Sequence, residues 1–141
     1  MNQQISILIN LSTQRFLSSN EENELVKHLR SLEESEAFNI LKISISKKSS
    51  IGINVYKRVL HKKEYVKNIF KYQVNTYKIQ EIKPWLIFLI SKIGVKSTIF
   101  LIKELDNDEN KLLFKALYWL PSLVPQNNKS IQNLLQQSIK N

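Results

Sequence analysis

IKPWLIFLISKI at residues 82–93 and LLFKALYWLPSL at residues 112–123 read as one apolar helix written twice, 30 residues apart. Ile82, Leu86, Leu89, Ile90 and Ile93 fall opposite Leu112, Ala116, Trp119, Leu120 and Leu123, and the echo continues with Leu101 and Leu105 opposite Ile131 and Leu135. Each set recurs in steps of three and four, which places its side chains on one face of a helix. A fixed period of this length signals stacked helical pairs, because a single pair cannot bury its apolar face and its neighbour covers it. The pattern predicts an all-α fold, a short α-solenoid of stacked helical pairs.

Punctuation around the echo agrees. Pro84 suits the first turn of a helix and Gly94 its C-cap, so one helix runs to Ile93 and the next covers Val95 to Leu105. Asp106 to Glu109 makes a turn, Asn110 to Leu120 a further helix that Pro121 should end, and a last helix spans about Ser130 to Ile139. Toward the N-terminus, residues 4–17 read as a helix with Ile5, Leu8, Leu11 and Phe16 inward. Ser18, Ser19 and Asn20 are stop-and-cap residues. The carboxylates of Glu21, Glu22 and Glu24 then sit in the first turn of a second helix, where the macrodipole favours them, and Leu25, Val26, Leu29 and Leu32 form its apolar face.

Residues 36–61 carry two patterns. Phe38, Leu41 and Ile45 fit a helix, whereas Ile43, Ile45, Ile51, Ile53 and Val55 alternate at period two around the polar run Ser46 to Ser50, as a small β-hairpin within 43–55 would. The helical surroundings favour the first, and the hairpin stays open. Farther on, Val59, Leu60, Val66, Ile69, Phe70 and Val74 are expected core contacts.

The segment from Leu105 through Asp106, Asn107, Asp108, Glu109, Asn110 and Lys111 to Leu112, continuing to Ala116 and Leu120, resembles a HEAT-like repeat of the short phycobilisome-lyase type. In that family a helix ends in leucine and aspartate, an acidic turn follows, and the next helix carries an aliphatic, a small residue four on, and a leucine. Leu113 replaces the family's usual arginine and Trp119 its second small residue. The resemblance implies an α-solenoid with a binding role and supplies no active site.

Length and composition bound the rest. A chain of 141 residues, 43% hydrophobic and 23% charged, fits one globular domain spanning 1–141 and excludes a disordered chain. Without cysteine there are no disulfides, thiolate nucleophiles or thiolate metal sites. Met1 to Phe16 lacks a basic n-region, which argues against a signal peptide and for the cytoplasm. Trp85 to Ile102 is apolar, but Lys92, Gly94 and Lys96 in its middle argue against a membrane span. Two glycines and three prolines favour helices with short turns over an all-β fold.

Local motifs point away from catalysis. Asp106, Asp108 and Asn110 have calcium-loop spacing, yet Lys111 stands where the loop needs glycine and Leu117 where it needs glutamate, so the segment reads as a turn. His28 and His61 are the only histidines, and His61-Lys62-Lys63-Glu64 has no second histidine one turn on. Neither histidine belongs to a serine-triad signature, and Gly52 and Gly94 stand alone without forming a phosphate loop. The sequence predicts no enzyme, cofactor or metal.

Charge supplies the remaining candidate. Residues 1–41 carry three basic and six acidic side chains, residues 42–103 fourteen and two, and residues 104–141 four of each, so the net +9 lies in the middle. There Lys63, Lys67 and Lys71, four apart, make a helical stripe, Lys57, Arg58 and Lys62 lie beside it, and Tyr65 and Tyr72 are interleaved. The stripe has three readings: a solvated face, a protein interface, or a grip on phosphates with tyrosines for stacking. Eighteen lysines against three arginines weaken base-specific reading, for which arginine's bidentate fork is suited. Trp85 and Trp119 are core residues or, if half exposed beside a groove, interface anchors.

The expectation from these features is a protein-binding module. Its specific form is a bacterial immunity protein that neutralises a cognate toxin by occluding the active site, with Lys57, Arg58, Lys62, Lys63, Tyr65, Lys67, Lys71 and Tyr72 meeting an acidic partner surface. A basic nuclease toxin would instead meet Glu21, Glu22, Glu33 and Glu34. The alternative is a nucleic-acid-binding helical repeat using the basic face 57–78.

Overall fold

The computed structural model describes residues 3–77, 79, 81–125 and 128–140, and among these no strand occurs. The described helices are α1 (Gln3–Ser12), α2 (Ser19–Arg30), α3 (Glu34–Ser46), α4 (Ile53–Val59), α5 (Lys63–Thr76), α6 (Lys83–Ile93), α7 (Val95–Leu105), α8 (Leu112–Leu123) and α9 (Lys129–Lys140). None of them is long and apolar enough to cross a membrane. The chain divides into two compact units, Met1–Thr76 and Tyr77–Asn141. No glycine, serine or proline run in the sequence marks this boundary.

In the first unit α2 packs against α1, α3 and α4, and α3 against α4 and α5. Its core is Ile5, Leu25, Leu29, Leu41, Val55, Leu60, Val66, Ile69 and Phe70, with Tyr56 buried and donating its hydroxyl to the Ile51 carbonyl at 3.2 Å. α2 begins with a capping box: the Glu21 N–H donates to Ser18 Oγ at 3.2 Å and the Ser18 N–H to Glu21 Oε1 at 2.8 Å. Arg15 clamps the same carboxylate with two donors at 2.7 Å each, and this pairing holds the Glu21 carboxyl down to about 2.

One expectation is corrected here and one open choice is decided. α1 stops at Ser12, not near residue 17, and Phe16 is 83% exposed instead of inward. The Ser12 hydroxyl donates to the Ile9 carbonyl at 2.5 Å and the Thr13 hydroxyl to the Asn10 carbonyl at 2.7 Å, a local competition that ends helices. Residues 43–55, open between helix and hairpin, contain the end of α3, a turn with Lys48 at φ 58°, and the start of α4. The period-two set does not share a face, since Ile45, Ile51 and Val55 are buried while Ile43 is exposed.

In the second unit α6 packs on α7 and α8, α7 on α8 and α9, and α8 on α9. Each helix thus meets its successor, and α6 and α7 each also meet the next but one. The helix α7 has the expected bounds, and Gly94 ends α6 at φ 87° and ψ 167°, a region essentially reserved for glycine. Its N–H donates to the Ile90 carbonyl at 3.0 Å, and its carbonyl accepts the Thr98 hydroxyl at 2.7 Å. Pro121 does not end α8, which runs on to Leu123. In the last turn the missing N–H forfeits one bond only, and the ladder resumes with the Val124 N–H on the Leu120 carbonyl at 3.1 Å.

Candidate functional site

The start of α8 is set by side chains. Asn107 Oδ1 accepts the N–H groups of Glu109 and Asn110 at 3.0 and 2.7 Å, and Asn110 Oδ1 accepts those of Asn107 and Leu112 at 3.0 Å each. Asp106 Oδ1 accepts the Leu113 N–H at 2.9 Å, which satisfies a first-turn donor of α8. Asp106, Asn107 and Asn110 therefore build and cap an inter-helix turn, as the sequence context of the calcium-spaced segment predicted. Among the described residues no group of three or more His, Asp or Glu side chains is arranged to hold a metal.

From this fixed start α8 sends Leu112, Ala116 and Leu120 inward, all within 1% of full burial. Its opposite face is apolar as well. Phe114 and Tyr118, one turn apart, are 78% and 76% exposed, with Leu117 and Trp119 half-buried between the two faces. A helix that is apolar on every side is ordinarily covered on every side. Comparison at the 30-residue spacing sharpens the contrast: Phe88 on α6, at the position of Tyr118, is 2% exposed, and Leu89, at the position of Trp119, is fully buried.

Beside this face lies a groove of about 990 Å³ within the second unit. The segment Glu81 to Pro84, leading into α6, forms one wall, and Phe114, Lys115, Leu117, Tyr118 and Trp119 form the other. Trp119 and Tyr118 meet edge to face at 4.9 Å between ring centroids. Lys83 Nζ stands 4.6 Å from the Trp119 ring centroid, a cation–π contact, and Lys115 Nζ donates to the Ile79 carbonyl at 3.1 Å. Two ammonium groups thus edge an aromatic groove against the one carboxylate of Glu81. α6 opens here with Pro84 in its first turn and no acidic residue there.

The basic and tyrosine side chains named from sequence, Lys57 to Tyr72, lie in the first unit. Lys63, Lys67 and Lys71 do share α5, with Lys63 exposed and the other two half-buried, and Lys57 and Lys62 are exposed. Arg58 donates to Asn23 Oδ1 at 2.9 Å, on α2. Both tyrosines are engaged within the unit. The Tyr65 ring lies 5.2 Å from that of Phe38, and Tyr72 is hydrogen-bonded to Ser46 with Lys42 Nζ 5.3 Å from its ring centroid. Lys42 belongs to this cluster and the sequence reading missed it, since no spacing along α5 points to α3. Lys78, the end of the basic stretch, lies outside the described residues.

Of the two tryptophans, Trp85 is buried against Phe88, with ring centroids 6.0 Å apart, and Trp119 is the half-exposed one beside a groove. Phe114 and Tyr118 were not singled out from sequence. The available signal was the absence of any polar stripe in LLFKALYWLPSL, where Lys115 and Ser122 alone break the apolar run. Comparison with protein-family models, curated proteins and solved structures finds no match for this chain.

Proposed function

We propose that the chain is a protein-binding module that docks its partner on the outer face of α8 and the groove beside it. The observation that carries this reading is the exposure of Phe114 and Tyr118, at 78% and 76%, on a helix whose inner face is already fully packed. Exposed aromatic residues around a half-buried tryptophan are the composition of interface hot spots. Trp119 supplies the anchor and Tyr118 its edge-on neighbour. In its specific form the proposal is an immunity protein of the cytoplasm, built as a HEAT-like stack of helical pairs, that neutralises a cognate toxin domain by covering its active surface. The basic side chains of α4 and α5, Lys57 through Lys71, would speed the encounter with an acidic partner. Against the nucleic-acid alternative, the rings of Tyr65 and Tyr72 are committed to Phe38, Ser46 and Lys42 and are poorly placed as stacking platforms.

The test is co-expression of the chain with the product of the gene beside its own. A stoichiometric complex that persists from about 50 to about 200 mM salt, and that Tyr118→Ala weakens, supports the proposal. Binding of generic duplex or single-stranded nucleic acid that falls steeply over the same salt range, with no protein complex, overturns it in favour of the alternative.

A further inference from the structure

The proposed docking face has a shape and a charge, and together they specify what it takes. Phe114 and Tyr118 are i and i+4 on α8, so they form a ridge of the kind that one helix inserts between the side-chain rows of another. Pro121 carries the same outward face toward the end of the helix, where it is exposed. Beside this ridge, the groove is edged by Lys83 and Lys115 against the single carboxylate of Glu81.

The two lysines differ. Lys115 is half-buried and already spends a donor on the Ile79 carbonyl. Lys83 is exposed, and its ammonium lies 4.6 Å from the Trp119 centroid. Its cation–π contact is a modest interaction at an exposed site, whereas a carboxylate held at the groove edge would give the same ammonium a charge-assisted hydrogen bond. A carboxylate-bearing segment would therefore draw Lys83 off the ring and leave the Trp119 face open to apolar side chains.

Resting on the reading of this chain as a protein-binding module, we infer that the α8 groove takes an acidic amphipathic helix of the partner protein. Leucine-type residues of that helix lie along Phe114, Tyr118 and Trp119, and its edge carboxylates pair with Lys83 and Lys115. A second copy of the chain fits less well. Its groove would again bring Lys83 and Lys115 against one carboxylate, so two such surfaces meet with like charge in excess.

The experiment uses two synthetic helical peptides of about 18 residues, identical in their leucine positions, one with glutamates and the other with lysines on the polar face. Both are titrated into the full chain while tryptophan emission is followed. The leucine–glutamate peptide is expected to bind about tenfold tighter than the leucine–lysine one. Lys83→Glu should remove most of that preference, and Phe114→Ala with Tyr118→Ala should abolish binding while the far-UV spectrum stays unchanged. Equal binding of the two peptides, preference for the lysine peptide, absence of binding by either, or binding indifferent to the double substitution overturns the inference. Concentration-dependent dimerisation that the same double substitution abolishes also overturns it, because the occupant is then a second copy. If the peptides fail while a co-expressed partner still binds in a Tyr118-dependent way, the protein-binding reading stands and only the acidic helix falls.

Discussion

If the outer face of α8 serves a partner and not the fold, its aromatic side chains can be removed at little cost to stability. Phe114 is 78% exposed, so only about a fifth of its surface is covered by the rest of the chain. Complete burial of a phenylalanine side chain is worth about 1.5–3 kcal/mol, so Phe114→Ala should cost roughly 0.3–0.7 kcal/mol. Tyr118, 76% exposed, has a similar burial term. It also loses its edge-to-face contact with Trp119, worth about 0.5–1.5 kcal/mol, so Tyr118→Ala should cost about 1–2 kcal/mol. Leu120, fully buried on the same helix, is the internal control. Leu120→Ala removes packed core volume and should cost about 2–5 kcal/mol. Urea unfolding of the three variants against the parent chain, with unchanged m-values, reads these differences as shifts of midpoint. The ordering Phe114→Ala below Tyr118→Ala below Leu120→Ala is the expected result. A loss of 2 kcal/mol or more for Phe114→Ala would mean that the ring is covered within the chain, and the α8 face would then not be open for docking.

The other predictions concern the scaffold. Gly94→Ala meets no atom within 4 Å of the added Cβ, so its whole cost is the backbone at φ 87°, about 1–3 kcal/mol of stability measured by denaturant unfolding. Gly52, also without a neighbour within 4 Å and sitting extended at the N-cap of α4, should accept serine with a gain of about 0.5–1 kcal/mol; a loss would argue against α4 as a capped helix. Glu34 Oε2 accepts the His61 and Lys62 N–H groups at 3.2 and 2.8 Å, ahead of α5, and Glu34→Ala should cost about 1–2 kcal/mol in thermal or urea unfolding, with Glu34→Gln recovering part of it. The Glu21 carboxyl is held down to about 2, chiefly by the Arg15 hydrogen bonds. Its folded value lies below its unfolded one, so its stabilisation is present above about 4.5 and fades as pH falls toward about 2. Glu21→Gln should flatten the pH dependence of the melting temperature in that window, and an NMR titration of the carboxyl carbon with a midpoint near 4.5 would refute the assignment.

The bounds of α6 and α7 were legible because single residues fix them, whereas Pro121 did not end α8. Gly94 must end α6, since few other residues tolerate φ 87°, and Pro84 belongs in a first turn. The stripes Ile82–Ile93 and Leu112–Leu123 named most of the inward faces of α6 and α8: Leu86, Leu89, Ala116 and Leu120 are fully buried, while Ile90, Trp119 and Leu123 are half-buried. Where two patterns compete within a few residues, local reading fails. Phe16 lies just past a serine–threonine stop whose hydroxyls bond back to Ile9 and Asn10, and its place in a helical stripe was accidental. The α8 face was hidden for another reason. Periodicity names the residues that can face a core, but the exposure of Tyr118 against the burial of Phe88 depends on what lies over each helix, which spacing does not encode. The interleaved tyrosines show the same limit, since Tyr72 is tied to Ser46, 26 residues away.

Consistency between pattern and packing is the rule for a sequence that specifies one structure, and departures from it concentrate where function requires them. The departures here are unequally informative. Phe16 is an isolated exposed ring in a connecting loop, and single exposed apolar residues are ordinary on protein surfaces. On α8 the departure is contiguous: Phe114, Leu117, Tyr118 and Trp119 adjoin one groove, with Lys83 held over the tryptophan. Replacing Phe114 and Tyr118 by lysine or glutamate would leave the inner face of Leu112, Ala116 and Leu120 intact and would give α8 the ordinary two-sided pattern of a surface helix. Apart from the edge contact of Tyr118 with Trp119, the packing of the second unit makes no demand for aromatic side chains at these two positions. The proposal that a partner covers this face would supply such a demand, and that is its physical content.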